Sequence, residues 1–233
     1  MLHRLLAILL AQADRPIAVS TIMEVLWGKR PPKTARKAVH VYVHQLRRLF
    51  GARVIQLTHG GYLLNTAESV IDSRQFMELT ASAKDLQLQG EPAQAVHVWA
   101  QALALWRDSV AFSDVDCATG VIAAERTWLQ EQRGTAWENR LAAAVSLGSG
   151  HDSIVGWQAM TEQHPYRERL HGLMMIAMYQ SGRQEDALTT YENLRQRLAV
   201  ELGIEPTPPL RKLHYQLLQH MPEGSLTLLS GVS

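Results

Sequence analysis

Cysteine is almost absent from this sequence. Cys117 is the one thiol in 233 residues, and a single thiol excludes the internal disulfide framework that holds many small secreted domains together. We therefore expect a protein of the reducing cytoplasm. Cys117 is predicted to be a small packed side chain without catalytic chemistry.

Long apolar runs are absent as well, and no uninterrupted stretch reaches the ~20 residues of a membrane span. We therefore predict no membrane partner. The apolar segment Leu5–Leu10, with Arg4 before it and Ala11 and Ala13 after it, imitates a secretory signal. We interpret it as a folded amphipathic helix, because leucines recur there at helical spacing. A secreted helical-repeat protein is the alternative.

The short motifs that mark common enzymes are missing. The sequence contains no Walker A phosphate loop, no G-x-G-x-x-G, no G-x-S-x-G and no H-E-x-x-H. His40 and His44 have the i, i+4 spacing of two metal ligands, but no third ligand lies in the same predicted helix. Neighbouring cations would also repel a metal ion. We predict no catalytic residue, no cofactor and no metal site.

Acidic residues are missing from one segment in particular. Seven Lys or Arg and no Asp or Glu occur from Lys29 to Arg48. Residues 1–65 hold ten basic and two acidic residues, net +8, so residues 66–233 must carry −7 of the overall +1. A basic head on an acidic body indicates a head that binds a polyanion, most often nucleic acid.

Helical patterns open the basic head. The first helix is predicted over about 2–13, and the second begins near residue 20, where Thr21 and Glu24 have the spacing of a capping box. Gly28 ends this second helix. A stiff basic loop follows, because two prolines cannot continue a helix; it consists of Lys29, Arg30, Pro31 and Pro32.

The third predicted helix begins after Thr34, a candidate N-cap, and has two chemically different sides. Val39, Val43, Leu46 and Phe50 form one predicted buried stripe. The other side combines cations, imidazoles, an amide and one apolar group, a mixture that suits phosphates and base edges in the DNA major groove. A solvated basic face is the plainer alternative. The predicted DNA-binding residues are Thr34, Lys37, Val41, His44, Gln45 and Arg48 on this side of the helix and Arg36, His40 and Arg47 on one flank of it.

Two strand-like runs follow the third helix. Residues 53–57 and 62–65 are joined by residues 58–61, which include two glycines that suit a tight turn. Three helices and a hairpin are the plan of a winged helix-turn-helix. In that plan the third helix enters the major groove, and the hairpin, called the wing, lies along the backbone or the minor groove.

The acidic body, from Ile71 onward, is predicted to be helical throughout. A 34-residue offset aligns Gly148 with Gly182 and Ala143 with Ala177, and 34 residues is the period of tetratricopeptide (TPR) repeats. The predicted fold class is therefore mainly α, with an N-terminal winged helix-turn-helix followed by a TPR-like helical repeat domain. The predicted body helices are 72–89, 91–106, 121–148, 151–164, 167–181, 184–202 and 207–219.

Motifs in both parts resemble those of one family. In the head they are Trp27–Pro32, Val39–Leu49 and Gly61–Leu64; in the body the most specific are Pro165–His171 and Leu198–Pro206. Together they look like the antibiotic regulatory proteins (SARPs) of actinobacteria. These proteins combine an OmpR-type DNA-binding domain with a bacterial transcriptional activation domain (BTAD). The similarity covers about residues 2–220.

The resemblance implies domain boundaries and a function. Residues 1–66 would be the OmpR-type winged helix-turn-helix DNA-binding domain, 70–222 the TPR-like BTAD and 223–233 a tail. Family members are cytoplasmic, pathway-specific activators of secondary-metabolite gene clusters that bind direct repeats near the −35 region. The implied partners are double-stranded promoter DNA, RNA polymerase holoenzyme and a second copy of the chain on the repeats. The loop Lys29–Pro32 corresponds to a segment that can face the polymerase.

Two departures from the family pattern bear on this function. The family's winged domain usually opens with a small antiparallel sheet, whereas this sequence starts at the first helix. A truncated regulator, which acts as a TPR-like interaction module and does not bind DNA alone, is therefore the alternative function. In the wing, Thr58 and His59 stand where members often carry Arg and Pro. Both are predicted DNA contacts, and His59 could partly replace the missing cation at low pH.

Overall fold

A computed structural model of the chain describes residues 1–116, 120–150, 160–220 and Leu226. Cys117, most of the predicted helix 151–164 and nearly all of the predicted tail lie outside the described residues. The chain divides into two compact units. The first unit comprises residues 1–75 and 106–132, and the second unit comprises residues 76–105 and 133–233.

The first unit opens with three helices and a two-stranded antiparallel hairpin, as predicted for a winged helix-turn-helix. In the hairpin, Ile55 lies opposite Leu64 and Thr58 lies opposite Gly61. The elements are α1 (Leu2–Leu10), α2 (Val19–Trp27), α3 (Ala35–Phe50), β1 (Ile55–Thr58) and β2 (Gly61–Leu64).

Of the two predicted helix starts, that of α2 is wrong and the N-cap position of α3 is confirmed. Helix α2 has Ala18 as its N-cap and no side-chain cap bond, so Thr21 is already the third helical residue and the capping box with Glu24 does not form. Thr34 is indeed the N-cap of α3, but its hydroxyl makes no cap bond. Packing of the apolar faces therefore positions these helix starts more than capping does.

The buried stripe of α3 lies one turn earlier than predicted. Ala35, Val39, Val43 and Leu46 are buried, with exposed fractions of 0–1%, whereas Phe50 is 51% exposed. Phe50 has the right angular position, but it is the last helical residue and lies beyond the end of the core. Gly51, with φ of +101°, then turns the chain away.

A segment far along the sequence completes the core of the first unit. Val115 and Ile122 are buried in the same apolar cluster as the stripe of α3 and the leucines of α1. The guanidinium of Arg126 fixes the loop that contains Val115. It donates to the carbonyl oxygens of Ala111 at 3.0 Å, Phe112 at 2.9 Å and Val115 at 2.7 Å. The basic head therefore owes part of its core to residues 106–132.

A close backbone contact attaches the hairpin to the chain between α1 and α2. Tyr62 N donates to Ile17 O at 3.0 Å, and Ile17 N donates to Tyr62 O at 2.8 Å. Gly61, with φ of +120°, makes this approach possible, because a Cβ atom there would lie 2.0 Å from Ile17 O. No residue with a side chain fits at position 61 without moving the backbone.

Asp14 forms a polar junction near this contact. Its carboxylate accepts hydrogen bonds from Thr66 N at 2.9 Å and from the Thr66 hydroxyl at 2.6 Å, and it also pairs with the Arg74 guanidinium. The hydrogen bonds from Thr66, followed by that from Arg74, lower the pKa of Asp14 to about 2. The charged carboxylate thus joins the end of α1 to the segment after β2.

The remaining described elements are helical, in agreement with the predicted body, and the described residues after Ile71 contain no strand. At residues 198–202 the helical hydrogen-bond pattern widens to a π turn. The elements are α4 (Asp72–Leu88), α5 (Pro92–Ala104), α6 (Val121–Ser146), α7 (Glu168–Gln180), α8 (Gln184–Arg197), the π turn Leu198–Leu202 and α9 (Pro208–Leu218).

The second unit is organised around α7. Residues 170–178 of this helix are all buried, which is typical of a helix surrounded by other elements. Positions related by the 34-residue offset have similar environments: Gly148 and Gly182 have φ of +70° and +73°, and Ala143 and Ala177 are both buried. These equivalences agree with a TPR-like repeat.

An ion-pair cluster in the second unit accounts for two arginines of the body motif. Arg167 and Arg169 each bond the carboxylate of Glu138 at 3.1 Å, and Glu138 is only 6% exposed. A Cβ atom at Gly134 would lie 2.7 Å from the Arg167 guanidinium. The motif around Arg167 therefore has a structural role, because the two cations compensate a buried charge.

Gly61→Ala should strongly destabilise the first unit. The new methyl group would collide with a backbone carbonyl that cannot rotate away, in addition to the strain of positive φ. We expect a loss of about 3 kcal/mol or more in unfolding free energy, seen as a melting temperature lowered by roughly 6 °C or more. Gly90→Ala is the matched control: φ is +81° with nothing within 4 Å, so only about 1–2 kcal/mol of strain applies. Equal effects of the two substitutions would contradict the proposed clash.

Asp14→Asn should change how stability depends on pH. Because the pKa of Asp14 is lowered from 3.8 to about 2 on folding, its contribution is present above pH ~4 and is lost as the pH falls towards 2. The carboxylate is 40% exposed, so solvent screening limits the expected loss at pH 7 to about 1 kcal/mol. The difference in melting temperature between Asp14→Asn and wild type should become smaller as the pH is lowered. Melting curves at pH 7, 4 and 3 test this, with Asp85→Asn on α4 as the control, and a pH-independent difference would contradict it.

Candidate nucleic-acid interface

The predicted DNA-binding side of α3 is open to solvent. Since one side of the helix is buried through Ala35, Val39, Val43 and Leu46, the residues between them point outward. Val41 is an apolar side chain that is nevertheless 53% exposed. The exposed residues on and just before α3 that were predicted to contact DNA are Thr34, Arg36, Lys37, His40, Val41, His44, Gln45 and Arg48.

The outward side chains of α3 are available for a ligand. No hydrogen bond or ion pair joins Lys37, His44, Gln45 or Arg48 to another described residue, and no acid lies on the helix to neutralise them. Cations left without carboxylate partners create a local positive potential. The helix thus offers donors for phosphates and base edges, with Val41 able to contact a thymine methyl.

The basic loop before α3 is also exposed. Gly28, with φ of +66°, ends α2, and the two prolines keep the following residues out of a helix. The exposed residues of this loop are Lys29, Arg30, Pro31, Pro32 and Lys33. The structure thus places a cationic turn between the two helices of the helix-turn-helix.

Two of the predicted DNA contacts, His40 and Arg47, are bound to the wing. Nδ1 of His40 and the hydroxyl of Tyr62 are hydrogen-bonded at 2.6 Å, and the two rings meet edge to face with centroids 6.0 Å apart. Arg47 is half-buried, and its Nε donates to Ile55 O at 2.8 Å. Both side chains therefore connect α3 with the hairpin, a role that helical periodicity alone did not indicate.

The turn of the wing contains the other two predicted contacts. Thr58 is half-buried, and its hydroxyl donates to Gly61 O at 3.1 Å, so it stabilises the turn. His59 is exposed. The adjacent Gly60 lies against Pro16, since a Cβ atom at Gly60 would be 3.1 Å from the Pro16 side chain. Of the two residues, His59 is the one that presents its side chain to solvent.

Leu57 and Gln56 were missed by the sequence patterns. Both are exposed on β1, and Leu57 is 65% exposed although it is directly opposite the buried Tyr62. In a regular half-buried strand, cross-strand partners have similar burial. Leu57 is not part of the apolar cluster that includes Ile55 and Tyr62. These side chains extend the exposed surface next to α3.

Metal binding finds no support in the part of the chain that the structure describes. No group of three or more His, Cys, Asp or Glu side chains is placed there to hold an ion. His40 is bonded to Tyr62, whereas its i+4 neighbour His44 points to solvent. Among the described helices, none has the length and apolar character needed to cross a bilayer.

An exposed, acid-free third helix beside a wing, on a chain that continues into helical repeats, defines a winged-helix transcriptional regulator as the class of protein. Comparisons with known proteins agree. Residues 2–78 match the family described as transcriptional regulatory protein, C terminal. Residues 71–218 match the family described as bacterial transcriptional activator domain. The chain belongs to the SARP family, as the sequence motifs predicted.

Relatives from two Streptomyces species are similar to this chain over most of its length. Regulatory protein AfsR of Streptomyces griseus is 34% identical over 92% of the chain and 22% of AfsR. Regulatory protein DnrI of Streptomyces peucetius is 32% identical over 94% of the chain and 84% of DnrI. The chain thus spans about a fifth of the length of AfsR but most of DnrI.

A solved structure confirms the fold class. Mycobacterium tuberculosis EmbR, determined in complex with a low-affinity phosphopeptide, superposes with a TM-score of 0.88 at 30% identity. The match covers 96% of this chain and 61% of the EmbR chain. At this similarity the fold, a winged helix followed by a helical domain, is shared.

Proposed function

We propose that this protein is a sequence-specific, DNA-binding transcriptional activator of a secondary-metabolite gene cluster. The observation that carries the proposal is the outward side of α3, where Lys37, His44, Gln45 and Arg48 are exposed, their side chains bond no described residue, and the helix itself carries no acid. Structural cations are normally paired or solvated among mixed charges, so such a face is suited to a polyanion.

The proposed roles follow from side-chain chemistry. Lys37 and Arg48 can donate to guanine O6 and N7, Gln45 can pair with adenine, and Val41 can contact a thymine methyl. Arg36 and Thr34, at the N-terminal end of α3, are suited to phosphate oxygens because the helix dipole is positive there. His59 would approach the backbone or minor groove from the wing.

The wider function rests on relatives. AfsR, DnrI and EmbR are named as regulatory proteins. By analogy with the family, the chain would bind direct repeats near the −35 region, with a second copy on the adjacent repeat. The loop Lys29–Pro32 would meet RNA polymerase, because it is exposed, cationic and stiff. The residue ranges 1–66 for the DNA-binding domain, 70–222 for the BTAD and 223–233 for the tail remain part of this proposal.

A second candidate function is a TPR-like interaction module that does not bind DNA alone. One observation favours it: an open groove of about 460 Å³ lies on α8, lined by Glu185, Leu188 and Glu192 among others. An acidic groove with an apolar floor could bind a basic segment of another protein. Under this hypothesis, substitutions on α3 would have no effect on activity.

Lys37→Ala and Arg48→Ala should each weaken binding to promoter DNA from the neighbourhood of the protein's own gene. Loss of a base contact is expected to reduce affinity by roughly ten- to a hundredfold. Loss of a phosphate contact should instead flatten the dependence of log K on log salt concentration by about 0.9. Fluorescence anisotropy of the full chain over a salt series, with promoter and scrambled duplexes, separates the two effects.

Lys84→Ala is the control for these substitutions. Lys84 is an exposed cation on α4, so its removal changes the net charge equally without touching the proposed interface. We expect wild-type affinity for this variant and unchanged melting temperatures for all three. If the wild-type chain binds the promoter and the scrambled duplex with equal affinity, the activator proposal is wrong and the interaction-module hypothesis is preferred.

A further inference from the structure

We propose that His40 is a positioning residue, which holds the wing against α3 through Tyr62, and is not a phosphate contact. The inference rests on the proposed DNA-binding function and deepens it. In this role His40 does not contact DNA. It fixes the position of the wing relative to α3, the two elements that would enter adjacent grooves. The residue would then act on DNA affinity only through the wing.

The first support is the geometry of the hydrogen bond. His40 Nδ1 and the Tyr62 hydroxyl are 2.6 Å apart, which is a short and well-formed contact. Tyr62 is only 3% exposed, and burial raises the pKa of its hydroxyl, so the hydroxyl keeps its proton and is available as a donor. Nδ1 of His40 is the ring nitrogen in this bond, and Nε2 takes no part in it.

The second support is the position of Tyr62 in the hairpin. Its backbone is paired on one side with Leu57 of β1 and on the other with Ile17. Its ring lies in the apolar cluster of the first unit. Any displacement of the Tyr62 hydroxyl therefore moves a strand that is fixed to its neighbours, and a bond at this hydroxyl fixes the hairpin relative to α3.

The third support is a second bond of the same kind. Arg47, seven residues after His40, donates from Nε to Ile55 O of β1 at 2.8 Å. Seven residues correspond to about 10.5 Å along a helix, so α3 holds β2 at one point and β1 at another. Two separated attachment points prevent the hairpin from pivoting, and a two-stranded hairpin has little stability of its own.

The two possible roles of His40 use different ring nitrogens. Positioning uses Nδ1, which is bonded to Tyr62, whereas a phosphate contact would have to use Nε2. An asparagine amide lies close to the place of Nδ1, and a glutamine amide lies close to the place of Nε2. His40→Asn and His40→Gln therefore separate the two roles at one position and with the same functional group.

The experiment measures promoter affinity of the 233-residue chain carrying His40→Asn or His40→Gln by fluorescence anisotropy over a salt series. We expect His40→Asn to bind within about twofold of wild type, and His40→Gln to bind about fivefold more weakly with an unchanged salt slope. Fivefold corresponds to one hydrogen bond of ordinary net strength. This order opposes helix propensity, which favours Gln over Asn, so a merely structural effect would give the reverse.

Tyr62→Phe provides the partner arm, because it removes the hydroxyl and keeps the buried ring. We expect Tyr62→Phe to reduce promoter affinity by about the same factor as His40→Gln. The double variant, His40→Gln with Tyr62→Phe, should bind no more weakly than either single variant. Amide hydrogen exchange without DNA should be faster for β2 residues in His40→Gln and in Tyr62→Phe than in wild type. This DNA-free measurement tests the attachment of the wing directly.

Other outcomes would overturn the inference. If His40→Gln retains affinity and His40→Asn loses it, His40 is a phosphate contact through Nε2. Additive losses in the double variant, or wild-type affinity for both His40 variants, would equally contradict positioning through Tyr62. A wild-type chain that binds promoter and scrambled duplex alike is a different result: it removes the proposed function itself, and unchanged exchange of β2 would then refute the attachment separately.

Discussion

The backbone pairing of Tyr62 with Ile17 is the contact on which the first unit depends. It requires a residue without a Cβ atom at position 61, because the Ile17 carbonyl occupies that space. Once made, it attaches the hairpin to the α1–α2 connection and brings the Tyr62 ring into the apolar cluster. The hydroxyl of that ring then lies within hydrogen-bonding distance of His40 on α3. One steric constraint thus relates the wing to the helix that is proposed to bind DNA, and Asp14 stabilises the same region through Thr66 and Arg74.

The two sides of α3 differ in chemistry. Small and branched apolar residues fill the buried side, and every charged residue of the helix is basic. Cations usually acquire carboxylate partners in a folded domain, as Arg167 and Arg169 do with Glu138 in the second unit. No described carboxylate pairs with the outward side chains Lys37 and Arg48 of α3, and under the proposed function a nucleic acid would supply the opposing charge. His40 and Arg47 lie between the two sides and use polar atoms on the wing instead, which is why their basic character alone was a poor guide to their contacts.

How much of this could be predicted from the sequence differs between local and long-range features. The three helices, the hairpin and the helical body were predictable, because apolar periodicity and turn-forming glycines are local properties. Capping at Thr21 and burial of Phe50 were wrong, since each depends on where a helix begins relative to the core. Completion of the first unit by Val115 and Ile122 was not predictable at all, because no local pattern reports a contact between residues so far apart in the chain.

The sequence by itself determined the class of protein. Residue types and spacing predict a basic, acid-free helix in a winged helix-turn-helix order, followed by a 34-residue helical repeat. Only the tertiary structure decided which basic and polar side chains of α3 face solvent and which are held by the wing. Lys37 and Arg48 cannot be distinguished from Arg47 by charge, and helical periodicity places Arg47 only on the flank of the helix, without indicating a partner for it. They differ because the Ile55 carbonyl lies 2.8 Å from Arg47 Nε, and the position of that carbonyl is set by strand pairing and core packing across the whole unit.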